Sequence, residues 1–201
     1  MTVATILFLT SCSTDAMENV SERRSGYFTA SDGFATVTVV SGVREQPYAA
    51  DGKADSLKPY TLITLTPTSF DVDAVIAYKA ATAEGTFGGA LVVHPFAASF
   101  SAEFDSETTE QFTVSFTVDG ETHEYALTSL FTSDMMNFDK AIDAAKTELK
   151  PSGGYEIRVQ LVKDPIDGDG ICWYVSFISD ADSSCSVLLD PVTAKVIAKK
   201  N

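Results

Sequence analysis

Residues 155–197 read YEIRVQLVKDPIDGDGICWYVSFISDADSSCSVLLDPVTAKVI, and this stretch decides the fold. Tyr155, Ile157, Val159 and Leu161 alternate with Glu156, Arg158 and Gln160, the period-two pattern of a strand with one buried and one wet face. After the turn-rich segment Asp164 to Gly170, Ile171, Trp173, Val175 and Phe177 share a face, and beyond Asp180 to Ser183 so do Cys185, Val187 and Leu189. Three antiparallel strands are expected. Matching their apolar faces pairs Phe177 with Cys185, Val175 with Val187 and Trp173 with Leu189, which sends Cys172 to the opposite face. The resulting offset of five residues is roughly 17 Å along a strand, whereas a disulfide needs Cα atoms within about 7 Å. Two separate thiols are expected, Cys185 in the core and Cys172 on the other face.

Upstream, Phe138, Ala141, Ile142, Ala145 and Leu149 recur at three- and four-residue steps between Asn137, a natural N-cap, and Pro151, which cannot extend a helix. The apolar stripe of this helix would cover one face of the sheet, with Glu156, Arg158 and Gln160 pointing away. The order helix (Ala141 to Lys146), strand, aromatic-rich strand (Trp173 to Phe177), then Val187 to Val196 with Asp190 and Thr193 near its turn, resembles a PepSY-type domain. Ala194 stands where that family favours Gly. The resemblance covers the final third of the chain. It implies a secreted or membrane-attached bacterial protein with a role in inhibiting or regulating peptidases, and it supplies no catalytic residue.

The chain has 201 residues, 45% of them hydrophobic, enough for one large or two small cores. Its net charge of -14 repels a phosphate backbone and leaves no basic stripe, so nucleic acid is excluded as a partner. The N-terminal run Met1 to Ser11 is too short to span a bilayer but fits the apolar part of an export signal, although no Lys or Arg precedes it. Its end, Leu9-Thr10-Ser11-Cys12, resembles the bacterial lipobox, which implies a lipid anchor on Cys12 and an extracytoplasmic cell-envelope location. Residues 1–12 are thus read as the lipoprotein signal and 13–25, with almost no large apolar side chain, as a tether.

Between 26 and 131 the period stays near two. Phe34–Val40, Tyr60–Leu65, Val72–Tyr78, Phe87–Val93, Phe96–Phe104, Phe112–Val118 and Thr122–Leu130 are expected strands, separated by turn-prone clusters. Asp119-Gly120 predicts a two-residue hairpin pairing Val118 with Glu121, Phe116 with His123, Val114 with Tyr125 and Phe112 with Leu127. The expected fold is mainly β with an α+β C-terminal part. A β-sandwich of immunoglobulin-like architecture at 26–131 is followed, at 132–201, by a PepSY-like unit of one helix packed on a three-stranded antiparallel sheet.

Candidate chemistry is sparse. His94 and His123 stand in neither an HxH nor an HExxH arrangement, and no Gly-x-Ser-x-Gly elbow is present. Asp167-Gly-Asp-Gly170 resembles the centre of a calcium loop, but the EF-hand positions that need carboxylates fall on Pro165 and Ser176; a hairpin loop is the reading, with calcium held by Asp164, Asp167 and Asp169 as the alternative. No catalytic, cofactor or metal residue is assigned. The sequence therefore points to a non-enzymatic lipoprotein binding a protein or peptide. The alternative is a surface carbohydrate- or small-ligand-binding module using Trp173, Tyr174 or Tyr78 as a stacking platform, with Tyr174, on the outer face, the candidate contact.

Overall fold

A computed structural model of the chain describes residues 19–200 apart from 167 and 169; the lipobox and residues 13–18 lie outside this range. The helix forms as its caps dictate. α1 (Phe138–Leu149) starts where the Asn137 side chain accepts a hydrogen bond from the Lys140 N–H, and it ends at Lys150 in a left-handed conformation just before Pro151. Its buried Ala141, Ile142 and Ala145 pack on Ile157, Val159, Trp173, Val175, Phe177, Val187 and Leu189. These belong to β10 (Glu156–Lys163), β11 (Ile171–Asp180) and β12 (Ser183–Leu189), paired in the expected register. A further strand, β13 (Val196–Lys200), adds to β12, so this sheet does not stop at three strands.

The described residues before the helix carry nine strands joined by loops and turns: β1 (Val20–Ser31), β2 (Ala35–Glu45), β3 (Leu57–Pro67), β4 (Ile76–Thr82), β5 (Gly85–Ala90), β6 (Val92–Val93), β7 (Phe100–Phe104), β8 (Phe112–Val118) and β9 (Glu121–Leu127). The β8–β9 hairpin has the pairs expected from Asp119-Gly120. Mainly β with one helix is the observed class. The strands form a nine-stranded sheet, ordered β13-β12-β11-β10-β1-β2-β3-β7-β6, and a four-stranded one, β5-β4-β8-β9. Phe28, Val37, Val39, Ile63, Leu65 and Phe100 of the large sheet share a core with Tyr78, Val114, Phe116 and Leu127 of the small one.

Three expectations need correction. Residues 20–25, read as tether, are the start of β1, with Val20 and Ser21 both 1% exposed. Because β1 pairs with β10 in parallel and with β2 antiparallel, the large sheet runs through the expected boundary at 131/132 without a break. Arg23, opposite both Val159 and Val43, sets the geometry: the helix and the small sheet cover the same face of the large sheet. Finally, the other face is not open. Residues 46–56, between β2 and β3, fold back so that Tyr48 bonds Glu156, which is 0% exposed. Cys172, on that face, is fully buried, while Cys185 is the half-buried thiol; the two are unbonded. Burial, reinforced by the charge of Asp164, pushes the Cys172 thiol up to about 11, which leaves it inert as a nucleophile. No helix among the described residues is long and apolar enough to cross a membrane.

Candidate functional site

Two constellations stand out, one charged and one apolar. The charged one lies on the outer face where β1, β2, β3 and β10 meet, because pairing places Glu22 beside both Arg158 and Arg44. Glu22 is 5% exposed. Its Oε1 accepts from the Tyr60 hydroxyl at 2.7 Å and from Arg24 Nη2 at 3.1 Å, and its Oε2 lies 3.6 Å from Arg158 Nε. Arg44 stacks 4.4 Å above the Tyr60 ring and pairs with Glu103 at 2.5 Å. Arg158 lies 4.0 Å over the ring of Tyr48, whose hydroxyl donates to Glu156 Oε1. Burial above all pushes the Tyr60 hydroxyl up to about 12 and the Tyr48 hydroxyl, also bonded to Glu156, to about 12. Every cation here stacks on a ring or pairs with a carboxylate, and no nucleophile stands among them. The arrangement clamps the 46–56 loop to the sheet.

Glu156 is the carboxyl of this group that burial penalises most visibly. Desolvation raises its carboxyl above the ordinary value, helped by the charges of Glu45 and Asp51 and opposed by the Tyr48 hydrogen bond and Arg158. Its Oε2 is buried with no partner. An acid raised on folding favours the folded state while protonated, so the stability it contributes is present below about pH 4.3 and is lost as pH rises through the raised value. Glu156→Gln keeps an acceptor for Tyr48, and it is expected to raise the thermal midpoint at pH 7 while matching the parent chain near pH 4. Equal loss at both pH values in thermal unfolding would contradict this.

The apolar constellation is made by loops. β1, β2 and β3 bring Ser31, Thr36 and Thr66 side by side at one end of the large sheet. Four connections meet there. The 32–34 turn is tied to the β8–β9 hairpin by the Tyr125 hydroxyl donating to Asp32 Oδ1 at 2.8 Å and by Phe34 stacking on His123 at 3.8 Å. The 68–75 loop is tied to the same turn by the Thr68 N–H bonding Phe34 O, and its Phe70 ring lies 5.3 Å from Phe100. The 94–99 turn joins β6 to β7 beside Phe100, with His94 Nδ1 accepting from the Phe96 N–H. The backbone N–H of Ala35, with the Tyr125 hydroxyl, holds the Asp32 carboxyl below the usual range, so this anchor stays charged. On this frame stand Phe96 (93% exposed), Val75 (81%), Val92 (68%), Val72 (58%) and Phe70 (37%), five of the eight large apolar side chains that are exposed among the described residues. Scattered single apolar residues are ordinary on a surface, whereas a gathering on adjoining loops marks a contact site.

The residues singled out from the sequence lie elsewhere. Trp173 is 1% exposed, with its indole N–H donating to Met136 O at 3.0 Å, and Tyr78 is 8% exposed in the shared core; neither can stack on a sugar. Tyr174 is half-buried on the outer face in a groove of about 220 Å³ with Ser186, Leu188, Ala198 and Lys200; its strand lies next to β10 of the charged constellation and far from the apolar loops in the strand order. Cys12 lies outside the described residues, as do Asp167 and Asp169 of the calcium-like loop, in which Asp164 Oδ1 accepts from the Ile166 N–H. Among the described residues no three His, Cys, Asp or Glu side chains are grouped to hold a metal ion. The apolar loops were missed because their residues are separated in sequence and because Val72, Val75, Val92 and Phe96 read as strand. No family model, curated protein or solved structure matches this chain.

Proposed function

We propose that the chain is a non-enzymatic lipoprotein of the cell envelope, anchored through Cys12, that binds a protein or peptide partner with the loops at one end of its sheets. In this reading the two facing sheets are a sandwich of immunoglobulin-like architecture and α1 with β10 to β13 is a PepSY-like unit, so the bound partner could itself be a peptidase under regulation. The gathering of Phe70, Val72, Val75 and Phe96 on adjoining loops, with Val92 of β6 between the 68–75 loop and the 94–99 turn, carries the proposal. Its position supports it as well. β1 runs its 12 residues from Val20 to Ser31, so the apolar loops lie roughly 36 Å from Val20, at the end of the strand opposite to the side on which Cys12 joins the chain. For the C-terminal unit, Ala194 has φ 59, a left-handed conformation, at the position where PepSY-type chains favour Gly. The carbohydrate reading is weaker, because Tyr174 alone of its three platforms reaches solvent.

The anchor is tested directly in cells that make the protein. Mass spectrometry of the membrane fraction is expected to find diacylglyceryl on an N-terminal Cys12, and Cys12→Ala to move the protein to the soluble fraction. An unmodified Met1 on membrane-free protein would overturn the lipoprotein reading.

A further inference from the structure

We infer that the partner segment received by these loops is basic as well as apolar; this rests on the binding function proposed above and adds the chemistry of the ligand. The charge pattern supports it. From 59 to 139 the sequence contains a single Lys or Arg, Lys79, and that residue sits within β4, away from the loops. The charges that flank the exposed apolar side chains are Asp71 and Asp73 on the 68–75 loop and Asp119 and Glu121 on the β8–β9 hairpin, all exposed. The arginines of the large sheet are committed elsewhere: Arg23 pairs with Glu107, Arg24 and Arg158 lie against Glu22, and Arg44 pairs with Glu103.

An apolar centre with an acidic rim sets two conditions on an occupant. Burial of Phe96 and Val75 supplies the driving force, and rim charges select sign and speed encounter. A surface of anionic lipid or nucleic acid is repelled by such a rim. The fitting occupant is an envelope polypeptide segment in which lysines or arginines alternate with apolar side chains. The outer edge of β6, the last strand of the large sheet, lies beside Val92 and is where an extended segment could run.

The test uses the full chain carrying Cys12→Ala, which leaves the described residues untouched, and three labelled peptides of equal length: lysine alternating with leucine, glutamate with leucine, and lysine with serine. Fluorescence anisotropy is expected to find binding of the lysine–leucine peptide, weakened at least about tenfold by Phe96→Ser, by Asp71→Asn with Asp73→Asn, and by high salt. Phe96 is 93% exposed, so its loss leaves the core intact. Equal binding of the glutamate–leucine peptide would overturn the basic requirement, and equal binding of the lysine–serine peptide would mean that net charge alone attracts. Binding to vesicles containing phosphatidylglycerol, lost with Phe96→Ser, would assign the loops to a membrane instead. If no peptide binds while contacts from position 96 persist in cells, the partner chemistry is wrong and the binding function stands; if those contacts are absent too, the function fails with it.

Discussion

Gly42→Ala is expected to lower the stability of the whole chain by about 3 kcal/mol, the upper range for forcing an extra methyl into packed structure. A Cβ at Gly42 would lie 2.0 Å from the Arg23 carbonyl oxygen and 2.8 Å from Arg24 Cα, both backbone atoms that cannot rotate aside. Gly42 faces Arg24 next to the irregularity in the β1–β2 ladder, so relieving the clash means parting those strands. β1 is also the partner of β10, so damage at Gly42 should reach the helix side. Chemical denaturation followed by Trp173 fluorescence, which reports the helix side, should shift together with far-ultraviolet circular dichroism. Gly33→Ala, where nothing lies within 4 Å, is the control and should change little. A Gly42→Ala chain as stable as Gly33→Ala would mean that the β1–β2 register is wrong.

The second large effect is at Glu22. Removing one partner of a buried ionic group costs about 3 to 5 kcal/mol, because the remaining charges stay buried without compensation. Glu22→Ala strips the Tyr60 hydroxyl and Arg24 of their carboxylate and removes the nearest anion from Arg158. Glu103→Ala breaks an ion pair whose side chains are 31% and 29% exposed, and such pairs contribute roughly 0 to 1 kcal/mol. Urea denaturation of the two variants should separate them clearly. Similar losses would show that the outer-face network is solvated and does not clamp the 46–56 loop.

Much of the fold was legible because its signals are local. The alternation of Tyr155 to Leu161, the Asp119-Gly120 turn and the stripe between Asn137 and Pro151 each depend on neighbours a few residues apart. β1 was not, because Ser21, Glu22, Arg23 and Arg24 look like a solvated tether until their partners are known, and Glu107, Tyr60 and Arg158 come from distant parts of the chain. The depth of Cys172 was illegible for the same reason, since its cover depends on how the far face is filled. Val72 to Val75 misled in the opposite direction: its alternating apolar residues read as a strand, yet Val72 and Val75 are loop residues standing in solvent. A local pattern that disagrees with the fold is expected where a sequence serves binding as well as folding.

The most direct measurement of the binding account is photo-crosslinking in cells that make the protein, with the full chain, Cys12 intact, carrying a photo-reactive side chain at position 96 or, for comparison, at position 188 in the Tyr174 groove. The account predicts a discrete covalent adduct to a polypeptide from position 96, suppressed by Val75→Ser, and none from position 188. An adduct from position 188 alone would place the binding surface on the outer face and contradict it.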